Sequence, residues 1–163
     1  MARTKRLYFE KAVYHISIRG NNRQMVLAAR EDKQAFLGTL NKYKKRFKFK
    51  LYGFVLMDNH VHMILETTSQ NNISKVMQAI TLSYSQKFRN KYNYTGYVWQ
   101  GRFKSSIISG EIYIVECINY IHNNPVRANM VNEAKDYLWS SYHRYNGNSE
   151  LLKNAIDIDI FRS

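Results

Sequence analysis

Residues 51–66, LYGFVLMDNHVHMILE, decide the fold. Residues 51–57 and 61–66 are apolar runs of strand length, and Asp58-Asn59 between them are good turn formers, so the stretch reads as two strands joined by a tight turn. Side chains two apart on a strand point the same way. Val61, Met63 and Leu65 therefore face a helical core, and His60, His62 and Ile64 face the opposite side.

Working outward, the period changes from two to 3.6 on both flanks. Residues 31–47 read as a helix with Phe36, Leu37, Leu40, Tyr43 and Phe47 on one face, and residues 72–91 as another with Ile73, Val76, Met77, Ile80, Tyr84 and Phe88 on one face. Beyond them lie two more strands. In residues 12–19, Tyr14, Ile16 and Ile18 alternate with His15, Ser17 and Arg19, and Gly20-Asn21-Asn22 follow as a loop. Residues 102–109 form the fourth strand, ended by Gly110. Glu111 starts a third helix running towards Pro125, which disfavours helical geometry in the residue before it and stops the helix near Asn123 or Asn124. The order is β-α-β-β-α-β, then α: an α+β, ferredoxin-like antiparallel sheet with an added C-terminal helix. Two helices cover one sheet face and the third lies across the other face or its rim. No repeat or flexible linker interrupts the chain, so residues 1–163 read as one domain. Sheets of this kind also carry RNA-recognition domains, so the fold alone does not settle function.

Composition narrows the partner. The chain carries 25 Lys and Arg against 12 Asp and Glu, a formal charge of +13 that favours a polyanion. Six of the cations, Lys42, Lys44, Lys45, Arg46, Lys48 and Lys50, crowd the end of the first helix, more than favourable interaction with the helix dipole requires. With 13 Tyr, 8 Phe and 2 Trp, basic residues are interleaved with rings on which unpaired bases can stack, although composition does not separate DNA from RNA. No apolar run approaches the roughly 20 residues of a spanning helix. The basic start, Met1 to Leu7, has no apolar segment after it, so no secretory signal is expected. Cys117 is the only cysteine, which excludes an internal disulfide and a Cys-rich zinc site and fits a reducing, cytoplasmic setting.

Two imidazoles side by side on one strand face, His60 and His62, suit chelation of one divalent ion with room left for a phosphate oxygen. The same pair also fits half-buried histidines making ordinary hydrogen bonds. The third helix adds a second constellation. Ile114, Ile118 and Ile121, flanked by Val115, form a packing stripe, and Tyr113, Cys117, Tyr120 and Asn124 form a stripe beside it. If that stripe meets the His60/His62 surface, a phenol and an amide oxygen join the ion. A tyrosine can attack a phosphodiester and divide one hard step into two. Tyr120 is the candidate nucleophile, Tyr113 its competitor two turns earlier, and Asn124 a candidate oxygen ligand. In a chain this rich in tyrosine, a packing role for Tyr120 is the ordinary alternative. His122 falls on the far side of the apolar stripe and is assigned to solvent or packing. His15 shares a face with Ser17 and can approach the metal site, with a structural histidine the preferred reading.

Five ordered segments carry a family resemblance: Tyr14-His15-Ile16-Ser17-Ile18-Arg19-Gly20-Asn21, Met57-Asp58-Asn59-His60-Val61-His62-Met63-Ile64, Trp99-Gln100-Gly101-Arg102-Phe103, Tyr120-Ile121-His122-Asn123-Asn124-Pro125-Val126-Arg127-Ala128 and Trp139-Ser140-Ser141-Tyr142. Together they resemble the REP-associated tyrosine transposases, close relatives of the single-tyrosine HUH transposases of small bacterial insertion sequences. The resemblance implies that His60 and His62 bind the metal, Mg²⁺ or Mn²⁺, with Asn124 in the place of the third ligand, which is a glutamine in some relatives. It implies Tyr120 as nucleophile and, as the reaction, cleavage of single-stranded DNA to a 5′-phosphotyrosine and a free 3′-hydroxyl, followed by strand transfer in DNA transposition. The implied substrates are small hairpins with a short adjacent guide sequence. Insertion-sequence relatives act as dimers that exchange the tyrosine helix and REP-associated ones can act as monomers, so a homodimer and a monomer both stay open.

Other residues receive DNA-contact roles from their own chemistry. Arg19, Asn21, Asn22 and Arg23 follow the first strand and can grip phosphates or base edges. Trp99, Arg102 and Lys104 can form a stacking and phosphate surface, with core packing the competing reading for Trp99 and Phe103. Trp139 reads as a core anchor. The main rival function is a non-catalytic nucleic-acid-binding regulator on the same scaffold. A replication initiator or relaxase nickase would share the chemistry but needs further domains, and a histidine phosphodiesterase needs a second His-x-Ser/Thr motif, which the chain lacks.

Overall fold

The computed structural model describes residues 11–146; the basic stretch at Met1 to Leu7 and the segment from Leu151 to Ser163 lie outside the described residues. Four strands, β1 (Val13–Arg19), β2 (Lys50–Leu56), β3 (His60–Glu66) and β4 (Lys104–Ile108), form one sheet in the order β2-β3-β1-β4, with every neighbouring pair antiparallel. Helices α1 (Arg30–Phe47) and α2 (Ile73–Tyr92) cover one face, and α3 (Glu111–His122) lies on the other. Short helices α4 (Asn124–Arg127) and α5 (Tyr142–Asn146) complete the described chain. The expected βαββαβ-plus-α order is the observed one.

The two helices have readable ends. α1 opens with Glu31 and Asp32 and closes with Lys44, Lys45 and Arg46, charges that complement its dipole, and Lys48 in the left-handed region ends it. Asn72 caps α2, its side chain accepting from the Lys75 N–H at 2.9 Å, and Asn93 in the left-handed region ends it.

The alternation in β3 divides the core into two layers. Val61, Met63 and Leu65 pack with Ile16, Ile18, Phe36, Leu40, Met77 and Ile80 beneath α1 and α2. Ile64 joins Tyr52, Val55 and Met57 under Ile114, Ile118 and Ile121 of α3. A bulge between Leu51 and Gly53 re-aims β2 beneath that helix. A Cβ on Gly53 would stand 3.3 Å from Ser141 Oγ and 3.4 Å from Ile121 Cδ1, so glycine lets α3 settle close to the sheet. The outer edge of β2 is covered by the chain after α4: Leu56 N–H donates to the Trp139 carbonyl and Ser141 N–H to the Phe54 carbonyl. Among the described residues no helix is long and apolar enough to cross a membrane.

His122 takes the packing role rather than the solvent one. It is 3% exposed, its Nε2 lies 2.6 Å from Ser141 Oγ, and its ring packs against those of Tyr142 and Tyr145. Burial, aided by His143, pushes its pKa down to about 4. The unfolded chain therefore binds a proton near pH 6.5 that the folded chain refuses until about pH 4. The stabilisation is whole above pH 6.5 and is lost as pH falls towards 4. Between pH 7.5 and 5 it should amount to about 2 kcal/mol. In denaturant titrations at those two pH values, His122→Gln should lose less stability on acidification than wild type by about that amount.

Candidate active site

The antiparallel register brings the polar residues of β1 and β3 together, with Ser17 opposite His62 and Arg19 opposite His60. Beside them the chain from Val98 to Lys104 folds back: Asn21 N–H donates to the Val98 carbonyl and Gln100 N–H to the Arg19 carbonyl, both at 2.8 Å. The result is a cleft of about 130 Å³ lined by Ser17, Ile18, Arg19, His60, His62, Gln100, Arg102 and Lys104. Two imidazoles form part of its wall, and three cations, Arg19, Arg102 and Lys104, stand around them.

The turn before β3 is fixed from outside. Lys33, buried at the start of α1, reaches Asp58 Oδ1 at 2.8 Å, and the Asp58 carbonyl accepts from Leu27 N–H. Asn59 accepts twice: its carbonyl from Gly20 N–H at 2.8 Å and its side-chain oxygen from His60 Nδ1 at 2.7 Å. Gly20 is required there, since a Cβ would stand 2.4 Å from the Gln24 carbonyl oxygen.

On the far side of the imidazoles, Asn124 Nδ2 lies 3.3 Å from His60 Nε2. The sequence puts Tyr120 and Asn124 on one helical stripe. The structure ends α3 at His122 and makes Asn124 the first residue of α4, because Pro125 has no N–H to continue the ladder. The backbone at Asn123 stays helical, so the two residues keep their neighbourhood. Tyr120 is 53% exposed and lies beneath Arg127, whose guanidinium carbon is 4.0 Å from the ring centroid and whose Nη2 donates to the Tyr120 carbonyl at 2.7 Å. Arg127 is also close enough to His62 to depress its pKa.

Burial first, then Arg19, lowers the pKa of His60. His62 is pushed down to about 3, mainly by burial and then by His60, His15, Arg127 and Arg19. Both rings are neutral at physiological pH, the form in which imidazole coordinates an ion. Among the described residues no group of three His, Cys, Asp or Glu could hold a metal. An ion in this cleft would have to be held by two imidazoles and the Asn124 amide, a borderline donor set that would leave open positions for phosphate oxygens.

The family described as Transposase IS200 like matches residues 8–124. The chain belongs to that family. A Haemophilus influenzae protein assigned as a REP-associated tyrosine transposase is 24% identical to this IS200-like chain over 115 residues, which cover 61% of this chain and 62% of the relative. The chain thus spans under two thirds of that relative's length. The fold is also that of a solved REP-associated tyrosine transposase bound to a REP hairpin, with a TM-score of 0.75 at 21% identity over 98% of this chain and 90% of the other. A structure from Deinococcus radiodurans assigned as a transposase matches at a TM-score of 0.52 and 19% identity, over 75% of this chain and 97% of the other.

Within this IS200-like chain, the structure gathers His60, His62, Asn124, Arg19, Arg102 and Lys104 around one cleft and sets Tyr120 one turn from Asn124. Asn22 and Arg23 stand exposed in the turn after β1, both with positive φ. Asn21 lines a neighbouring hollow of about 360 Å³ with Tyr97, Trp99, Gly101 and Arg102. Trp99 is corrected as a stacking platform. It is 7% exposed, packs against Phe36 and Tyr84, and donates from Nε1 to the Thr81 carbonyl at 3.2 Å, so its ring belongs to the core. Phe103 is also core. Tyr97, 77% exposed, offers the open ring instead, and Gln24 steadies its segment by bonding to the Tyr94 hydroxyl and the Tyr97 and Val98 carbonyls.

Sequence reasoning misses three residues here: Tyr97, Gln100 and Arg127. Arg127 had a usable signal, since seven residues from Tyr120 is two helical turns and the same face. Of the two readings for His15, the approach to the histidine pair is the one the structure bears out: its Nε2 lies 3.0 Å from His62 Nδ1, with the ring centroids 5.2 Å apart.

Proposed function

We propose that this chain cleaves and rejoins single-stranded DNA through a covalent tyrosine intermediate, the chemistry of a DNA transposase. The observation that carries the reading is the convergence of His60, His62 and Asn124 at one cleft, with Tyr120 one turn from Asn124 and exposed to solvent. Membership of the IS200-like family supports it.

In this reading the Tyr120 hydroxyl oxygen attacks the scissile phosphorus, a P–Oη bond forms, and the bond from phosphorus to the 3′-oxygen breaks. The phenolic proton leaves to solvent, the 3′-oxygen takes up a proton, and the 5′ end stays on Tyr120. A second 3′-hydroxyl reverses the step and joins a new strand. A Mg²⁺ or Mn²⁺ ion, held by His60, His62 and Asn124, would polarise the scissile phosphate and stabilise charge in the transition state. Arg127 holds the Tyr120 ring in place, and Arg19, Arg102 and Lys104 hold the phosphates on either side. Packing of α3 on its own sheet through Ile114, Ile118 and Ile121 supports action of Tyr120 within one chain. A hairpin-bearing strand is the proposed substrate, because the solved transposase of the same fold is bound to one.

The test incubates the protein with labelled hairpin-bearing single strands and Mn²⁺ and looks for a protein–DNA adduct that survives denaturation. An adduct with a free 3′-hydroxyl product supports the reading; tight binding without an adduct on any hairpin supports the regulator instead. Tyr97 supplies a separate measure of the DNA path. Tyr97→Ala should weaken single-strand binding by about 1–3 kcal/mol, as loss of one stacked base does, in a fluorescence-anisotropy titration at fixed salt.

A further inference from the structure

The geometry points to His15 as a positioning residue that holds His62 in the one neutral ring form able to bind a metal; the inference rests on the metal assignment proposed above. His60 shows the pattern. Its Nδ1 is 2.7 Å from Asn59 Oδ1, an atom that only accepts, so Nδ1 carries the proton. Its Nε2 is 3.3 Å from Asn124 Nδ2, an atom that only donates, so Nε2 presents a lone pair.

At His62 the partner is a second imidazole. His62 Nδ1 meets His15 Nε2 at 3.0 Å, and the rings meet edge to edge, their planes inclined by 29°, as a ring-to-ring N–H···N bond requires. One proton lies between the two nitrogens, in one of two arrangements. In the first, His62 Nδ1–H donates to His15 Nε2. His62 then keeps its Nε2 lone pair, and His15 carries its own proton on Nδ1. In the second, His15 Nε2–H donates to His62 Nδ1. His62 must then carry its proton on Nε2, where a ligand lone pair would have to be. Only the first arrangement is a metal site, so His15 acts as an acceptor.

A carboxylate or carbonyl in this place could accept and nothing else, and would fix the ring permanently. An imidazole makes the pair a two-state element whose members are both neutral and differ in where two protons sit. Metal affinity scales with the fraction of protein in the first state, so a tenfold preference of the free protein for the second would weaken binding about tenfold.

The test uses the full chain labelled with ¹⁵N-histidine, reading ring protonation by long-range ¹H–¹⁵N correlation, and Mn²⁺ affinity by electron paramagnetic resonance. In the Mg²⁺-saturated wild type, His15 should carry its proton on Nδ1 and leave Nε2 bare. His15→Phe keeps a ring at this position but removes the acceptor. In the metal-free variant His62 should shift to the Nε2–H form, and Mn²⁺ affinity should fall about 10- to 100-fold. His15→Gln, whose side-chain oxygen can accept, should recover most of that loss. A proton on His15 Nε2 in the Mg²⁺-saturated wild type would overturn the inference without any variant. Equal Mn²⁺ affinity in wild type and His15→Phe would overturn it alone, whereas a wild type that binds no Mn²⁺ at His60 and His62 would overturn the metal assignment and this inference with it.

Discussion

Tyr120→Phe should abolish the denaturation-resistant adduct and reduce strand cleavage by on the order of 10³-fold or more, the scale on which removing a nucleophile acts. The substitution is a narrow one. Phenylalanine keeps a ring beneath Arg127, and the Arg127 bond to residue 120 is made to the backbone carbonyl, so both contacts survive. Half of the side chain faces solvent, so no core is disturbed. DNA affinity should therefore stay within about twofold while the adduct disappears, a separation that a folding defect would not produce. Tyr113 is the control. It is 64% exposed near the start of α3, away from the break at Asn123 that brings Asn124 to His60. Tyr113→Phe should form the adduct normally. An adduct that persists in Tyr120→Phe and vanishes in Tyr113→Phe would transfer the nucleophile to Tyr113.

The second large effect belongs to the imidazoles. His60→Ala or His62→Ala should each lower Mn²⁺ affinity by more than about 100-fold, beyond the range seen for residues that only support a ligand. Adduct formation should fall in parallel and should not be recovered by raising the DNA concentration. Asn124→Ala should weaken Mn²⁺ less, because an amide oxygen is the weakest of the three donors and water can replace it. Calorimetric titration of the three variants ranks them directly. A mixture of Tyr120→Phe and His62→Ala should stay inactive, since α3 packs on the sheet of its own chain. Recovery of adduct in the mixture would mean that two copies exchange the helix.

The sheet and its helices are legible in the sequence because each rests on one short period. The alternation from Val61 to Leu65 and the spacing of Ile114, Ile118 and Ile121 are local facts, and their two buried layers follow from them. What stays hidden depends on register between distant segments. The contact of His15 with His62 spans 47 residues and follows from the pairing of Ser17 with His62, which the strand patterns leave undetermined. Trp99 illustrates a different gap. A tryptophan next to Arg102 suits stacking and core packing equally, and only the positions of Phe36 and Tyr84 decide that its ring is covered. Tyr97, two residues earlier, carries the opposite outcome with the same kind of ring. The end of α3 is legible from Pro125, whereas the reach of Arg127 back over Tyr120 needs the helical geometry across Asn123.

Asn59 receives both the amide of Gly20 and the ring proton of His60, while Asp58 beside it receives the amide of Leu27 and the ammonium of Lys33. Two residues thus join the arginine- and asparagine-bearing loop after β1, the start of α1 and an imidazole of the cleft into one clasp. A displacement of the loop after β1 that carries Asn59 with it would therefore also move the oxygen that accepts the His60 ring proton.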